Sequence, residues 1–246
     1  MTNIGYGSAG GGNPNLKPTK SKNFDLSLEY YFDEASAVNI SLFKRKIDGL
    51  VVGFRKMVTH TDNVGPYNYI LSQPDNASNG DLQGVEIGGK YFPKNLPSVL
   101  QGFGVEASYT HLKSSQDIPI TNGTGQVIGT YKTEFYSVSP DSFSTTLAYE
   151  RSKFSGRLSY AWRSAFFHNP EAANFANPLY IYDSAQRSVN LQFGYKITDD
   201  LTVSIEGTNL TNDIMHSYYG KDGAITNNFG NWIVGRTISV SARYSF

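Results

Sequence analysis

The stretch "GRTISVSARYSF", residues 235–246, alternates to the end of the chain. Ile238, Val240, Ala242, Tyr244 and Phe246 fall on one face of an extended strand, and Ser239, Ser241, Arg243 and Ser245 on the other. Most domains end in a polar tail that frays. This one carries an amphipathic strand to an aromatic last side chain, which calls for something apolar against that face.

Working outward, eight more segments repeat the period. Phe24, Leu26, Leu28, Tyr30 and Phe32 mark the first. Val38, Ile40 and Leu42 mark the second, which continues after a phase break at "KRKIDG" through Leu50, Val52 and Phe54. The third carries Val85, Ile87 and Tyr91, the fourth Phe103, Val105 and Tyr109, and the fifth Phe143, Leu147 and Tyr149. The sixth carries Leu158, Tyr160 and Trp162, the seventh Val189, Leu191, Phe193 and Tyr195, the eighth Leu201, Val203 and Ile205. No helical pattern of comparable length competes, and the chain reads as all-β. Composition agrees: 14% aromatic, with 17 Tyr, 15 Phe and 24 Gly. The 21 basic and 21 acidic residues cancel without forming blocks, so there is no basic footprint for a nucleic acid. With no cysteine, disulfides and thiolate metal sites are excluded. The first residues have neither the positive start nor the apolar core of a signal peptide, and no run is long enough for a membrane helix.

The connections alternate in length. "DEAS", "PKNLPSVLQG", "RSK" and "TDD" follow strands one, three, five and seven, whereas long polar loops, each of about twenty residues, follow the even strands. A soluble sandwich has no reason to sort its turns in this way. An outer-membrane barrel does, with tight periplasmic turns and long extracellular loops. In that orientation the odd strands descend, and aromatics collect at their lower ends: Tyr30 and Phe32, Tyr91 and Phe92, Tyr149, Tyr195, Tyr244 and Phe246. Phe54, Tyr109 and Trp162 stand at the upper ends of ascending strands, giving two girdles about ten residues apart. The opposite faces carry Glu29, Glu86, Lys90, Glu106, Arg157, Arg163, Lys196, Glu206 and Arg243. Burying these in a dry core would be costly, so a hydrated or polar-filled lumen is expected. The expected fold is an antiparallel transmembrane β-barrel. Single-chain bacterial barrels close with an even number of strands, so about nine meander strands suggest part of a larger barrel.

Five stretches in chain order, 12–32, 41–51, 79–92, 201–213 and 235–246, together resemble segments of TonB-dependent outer-membrane receptors. "GNPNLKPTKSKNFDLSLEYYF" (12–32) resembles a leader and strand of that family's barrel, and "SLFKRKIDGLV" (41–51) its Phe-x-Arg-x-Ile-x-Gly strand. "NGDLQGVEIGGKYF" (79–92) is similar to its Gly-x-Glu descending strand, "LTVSIEGTNLTND" (201–213) to its Asn-Leu-Thr-Asp segment, and "GRTISVSARYSF" to its closing strand. Each motif is weak alone, but the ordered set spans the chain. The resemblance implies a barrel of about 22 strands plugged by an N-terminal domain, with residues 1–246 as its C-terminal portion. It implies a bacterial outer-membrane location and import of a scarce nutrient (a siderophore, vitamin or carbohydrate) driven by the TonB complex through the plug. The partners implied are outer-membrane lipid, the barrel-insertion machinery, TonB and the extracellular nutrient. It also implies that Tyr244 and Phe246 form the signal read by the insertion machinery. On this reading Phe246 is a true C-terminus and the missing portion precedes residue 1.

No enzyme constellation is expected, nor a metal site or cofactor. His60, His111, His168 and His216 are scattered singly beside loops, and "GSAGGGN" lacks the strand and helix context of a phosphate loop. The loops are the expected ligand-binding elements. Arg163, Phe166, Phe167, His168 and Asn169, with Asn174, Phe175 and Tyr180, follow the sixth strand, and His216, Tyr218, Tyr219, Asn227, Asn228 and Trp232 follow the eighth. Rings stack on apolar faces while amides and guanidinium groups hydrogen-bond polar ones, which suits a sugar or an aromatic siderophore. The same rings could instead pack the loops on themselves. Two other readings stand beside the leading one: a small self-sufficient porin or adhesin barrel, and a soluble secreted glycan-binding β-sandwich.

Overall fold

The computed structural model describes residues 7–122, 126–171, 179–221 and 227–246. Its strands are β1 (Gly7–Gly10), β2 (Lys20–Asp33), β3 (Ser36–Asp62), β4 (Gly65–Tyr91), β5 (Phe103–Thr121), β6 (Val127–Thr133), β7 (Asp141–Arg151), β8 (Phe154–Arg163), β9 (Phe166–Glu171), β10 (Leu179–Asp183), β11 (Gln186–Lys196), β12 (Leu201–Thr208), β13 (Ile214–Tyr219), β14 (Asn228–Ile233) and β15 (Thr237–Tyr244). One 3-10 turn, Ser98–Leu100, interrupts the connection from β4 to β5.

Nine strands form the path of an 11-stranded sheet in the order β15-β12-β11-β8-β7-β5-β4-β3-β2, with β1 pairing on β4 and β6 on β5. They are the nine alternating segments, each antiparallel to its neighbours in chain order. A register row runs from Tyr91 at the lower end of β4 through Val105, Leu147, Leu158, Leu191 and Gly207 to Ile238 at the upper end of β15. Strands staggered in this way belong to the wall of a tilted barrel. β2 and β15 are the two edges, so the nine-stranded wall is open.

The wall is apolar outside and polar inside. Phe24, Leu26, Leu28 and Tyr30 on β2 are 56–69% exposed, and Ile238, Val240 and Tyr244 on β15 are as bare. A continuous apolar face of this size is incompatible with water and suited to lipid. The inner face is stitched by hydroxyl pairs in register across strands, Ser27 to Ser41 at 2.8 Å, Ser108 to Ser144 at 2.8 Å, Thr146 to Ser159 at 2.9 Å and Ser204 to Ser241 at 2.7 Å. The β-sandwich reading fails here, because among the described residues the apolar side of this sheet is bare and no second sheet shares a core with it.

Aromatic contacts occupy the lower rim. Phe32 lies 6.1 Å from Tyr91, Phe103 4.6 Å from Tyr149, Phe154 4.8 Å from Tyr195 and Tyr244 6.4 Å from Phe246. Tyr109, Phe143 and Trp162 share one register row toward the upper rim. Two girdle assignments change. Phe92 lies over Gly104, on the opposite face from Phe103 and Val105, and leaves no space for a Cβ there. Phe54 sits opposite Gln73, far up the β3–β4 hairpin and beyond the apolar band.

The long connections also differ from open loops. β3 and β4 pair along their whole length to the turn at 63–64, where the Asp62 carboxylate accepts the Val64 and Gly65 amides. The phase break at "KRKIDG" is a bulge between Ile47 and Leu50, with Gly49 at φ 72°. Asn76 closes that bulge. Its Nδ2 donates to Gly49 O and Lys17 O, while its Oδ1 accepts the Lys17 amide at 2.7 Å, anchoring the leader that puts β1 parallel to β4. Insufficient hydrophobic periodicity hid these extensions, since hairpins exposed on both faces need no apolar alternation.

Candidate ligand-binding platform in the loops

The connections after β8 and β12 form a second sheet, β14-β13-β10-β9. β8 leads into β9 and β10 into β11 with one offset, Arg163 opposite Gln186 and Phe166 opposite Asp183, so this sheet grows directly from the barrel wall. Among the described residues the buried hydrophobic side chains are Phe166, Phe167, Ile181 and Tyr182, all within it. Among the described residues the buried apolar core therefore lies in the loop sheet and not in the wall.

Phe167, wholly buried, is its centre. Tyr136 stacks on it at 5.3 Å, Tyr182 lies at 5.4 Å and Tyr180 at 5.8 Å, and Tyr131 stacks on Tyr180 at 4.4 Å. The Ser137 amide donates to Phe167 O at 2.8 Å, and Lys221 pairs with Glu134 at 2.8 Å. These contacts tie β6 and the strand-free residues after it to the loop sheet. Burial pushes the Tyr136 phenol up to about 12, with the neighbouring Tyr180 adding to it. Burial, then the Glu134 carboxylate, pushes Tyr182 up to about 12 as well.

Asp183 is buried and bridges two partners. His168 Nδ1 lies 2.9 Å from its Oδ2, and the Ser217 hydroxyl donates to its Oδ1 at 2.5 Å. The serine bonds the acid and not the imidazole, so these three groups lack the geometry of a hydrolytic triad. They hold β9, β10 and β13 together. Among the described residues no group of three or more His, Asp or Glu is arranged to hold a metal ion.

At the rim a cavity of about 460 Å³ is lined in part by Trp162, Arg163, Gln186, Arg187, Asp213 and Met215. Arg163 reaches Gln186 Oε1 with Nε at 2.8 Å and Nη2 at 2.6 Å, and its guanidinium lies 4.1 Å over the Phe166 ring. That leaves Gln186 Nε2 as a buried donor with no acceptor among the described residues, which an oxygen-bearing ligand could satisfy.

The "NLTND" motif forms a clamp beside this cavity. Asn209, at φ 49°, accepts the Asp213 amide at 2.9 Å through Oδ1 and donates through Nδ2 to Val234 O, while its own amide donates to Asn190 Oδ1. Asp213 in turn accepts the Arg187 amide at 3.0 Å and its Nε at 3.1 Å. The motif thus joins β11, β12, β13 and the approach to β15.

The candidate residues divide accordingly. Arg163, Phe166 and Phe167 come together with Tyr218, which stacks 6.4 Å from Tyr182. Phe166 and Phe167 are packed and His168 is committed to Asp183, so in this arrangement their contribution is to shape the platform. Tyr219 meets Phe229 edge-on at 5.4 Å, and Trp232 stands exposed on β14, the sheet's edge strand. The Asn169 side chain, Asn174 and Phe175 lie outside the described residues. Sequence reading missed Tyr131, Tyr136, Asp183 and Gln186. The Tyr180/Tyr182 alternation was the one signal available for a strand inside that loop.

The chain matches the family described as TonB dependent receptor-like, beta-barrel, over residues 2–210. Comparison with curated proteins gives no match. Among solved structures it is similar to the ferric enterobactin receptor PfeA of Pseudomonas aeruginosa, in a G324V mutant, at 17% identity and TM-score 0.61. It is also similar to the siderophore receptor PirA of Acinetobacter baumannii at 14% and 0.60, and to the copper transporter OprC at 16% and 0.59. Each likeness covers 94% of this chain and 32% of the other, so the chain spans about a third of the length of these proteins.

Proposed function

This chain belongs to the TonB-dependent receptor-like β-barrel family of the outer membrane, and from that premise we propose that residues 1–246 are the C-terminal portion of a plugged nutrient receptor. The intact protein captures a siderophore, vitamin or carbohydrate at the cell surface and imports it with energy delivered by the TonB complex through the plug. Outer-membrane lipid surrounds the wall, and Tyr244 and Phe246 are read by the barrel-insertion machinery. The observation that carries the receptor reading is the loop sheet. A pore needs only open loops, whereas here the loops bury the chain's own aromatic core beside a cavity between them and the upper wall, which holds a donor unpaired among the described residues. A rigid platform of this kind lowers the ordering cost of binding. On this reading Arg163 and Gln186 present polar groups to the ligand, Tyr218, Tyr219 and Trp232 present rings, and Phe166, Phe167 and His168 support them.

The test is uptake by cells carrying the intact gene, with and without a functional TonB complex, using a labelled ferric siderophore, a vitamin and an oligosaccharide in parallel. Energy-dependent accumulation of one of them is the expected result. Uptake of small solutes that is indifferent both to loss of TonB and to ligand identity would establish a porin instead.

A further inference from the structure

The outer face of the wall changes character abruptly above the apolar band. Reading across strands in register, Leu26, Leu42 and Val85 lead to His111, which faces Asp141 at 2.7 Å. The next row up is Phe24, Lys44, Gln83 and Lys113, and the one above it Lys22, Lys46, Asp81 and Ser115. Lys20 stands opposite Asp48 one row higher on β2 and β3. Strand alternation puts all these residues on the lipid-facing side, in line with Phe24, Leu26 and Leu28.

This arrangement is unfavourable as it stands. Lys22 and Lys46 are directly opposed across β2 and β3, and like charges in that position destabilise a sheet. Asp48 and Asp81 share the face, yet among the described residues no ion pair includes Lys22, Lys44, Lys46 or Lys113. A depression of about 230 Å³ lies between Lys44 and Lys113, lined also by Gln83, Asp81 and Ser115. Lys44 and Lys113 line a small polar hollow just above a lipid-facing band, Lys22 and Lys46 stand one register row higher, and long lysine stems let these charges reach the headgroup zone.

We propose that this patch binds the headgroup phosphates of a phosphorylated glycolipid in the outer leaflet. Lys44 and Lys113 hold one phosphate over the Gln83 hollow, and Lys22 with Lys46 holds a second beside it, relieving their mutual repulsion. The acyl chains lie down the apolar rows formed by Leu26, Leu42 and Val85. The patch is independent of whatever the loops capture, so it stands or falls apart from the nutrient-receptor reading.

The test uses the full-length receptor purified in detergent, with bisphosphoryl lipid A as the probe, monophosphoryl lipid A and inorganic phosphate as comparators, and heat-modifiable migration as the check on folding. K22Q/K46Q and K44Q/K113Q should each weaken bisphosphoryl lipid A binding by about tenfold or more. K153Q, at the β7–β8 turn on the opposite rim, should leave it unchanged. The monophosphoryl lipid should bind more weakly to the unaltered protein, and inorganic phosphate should displace neither lipid at equal concentration. Undiminished binding in both folded double variants would overturn the proposal. So would an equal loss in K153Q, which would indicate general charge attraction, or displacement of the lipid by inorganic phosphate, which would indicate a simple anion site.

Discussion

Phe167 and Tyr136 stack face to face with ring centroids 5.3 Å apart, although one belongs to the connection after β8 and the other to the connection after β5. Two connections on different strands of the barrel thereby share one apolar contact. The loop platform is stabilised as a soluble domain is, by burial, while the wall beneath it relies on lipid.

Phe167→Ala should remove about 3–5 kcal/mol from the platform, since it empties the centre of a buried cluster. Among the described residues no buried hydrophobic side chain of that core belongs to the wall. Limited proteolysis of the folded receptor should therefore cut the loops of the variant faster, while its heat-modifiable migration stays normal. Loss of the folded barrel band would show that loops and wall are one cooperative unit.

Alkali should loosen the platform in a defined window. Tyr136 and Tyr182 keep neutral phenols in the folded state up to about 12, against an ordinary value of 10.0. A folded value raised above the unfolded one gives stability that is fully present below pH 10 and is lost as pH rises through 12. Ultraviolet titration should show exposed tyrosines ionising first and these two late, with protease sensitivity of the loops rising over the same late range. All tyrosines ionising together near 10 would contradict the burial.

Asn209→Ala should open the clamp at the outer mouth. It removes the acceptor of the Asp213 amide and the donor to Val234 O, and it puts a residue less tolerant of φ 49° in a left-handed position. The expected cost is about 1–3 kcal/mol, read locally as faster hydrogen exchange at the Asp213 and Arg187 amides. Asn209→Asp keeps the acceptor and should restore part of the protection at Asp213.

Deleting Phe246 should lower the amount of receptor assembled in the outer membrane without altering ligand affinity in the receptors that do assemble. The ring is at the lower rim against Tyr244, remote in the fold from the loop sheet, so only insertion and rim anchoring are touched. Normal assembly in the deletion would leave Phe246 with the girdle role alone.

Much of the wall was legible because it obeys a local rule. Each of the nine strands must show lipid one face and a polar interior the other, so Ile238, Val240 and Tyr244, like Phe24, Leu26 and Leu28, announce strand and facing in the chain itself. Alternating connection lengths then order the strands. The exceptions are informative: Phe92 turns onto Gly104 because a glycine leaves it room, which period two cannot foresee.

The candidate site was legible only as a collection of residue types. Arg163, Phe166, Tyr218 and Trp232 could be named as loop aromatics and a cation, but whether a ring is packed or presented depends on partners distant in sequence. Tertiary structure decided that Phe167 meets Tyr136, that Asp183 joins His168 to Ser217, and that Lys22 faces Lys46. The physical reason is the range of the forces involved. Alternation is imposed by solvent on each strand separately, whereas a core, a clamp or a charge patch exists only once register brings separate strands together.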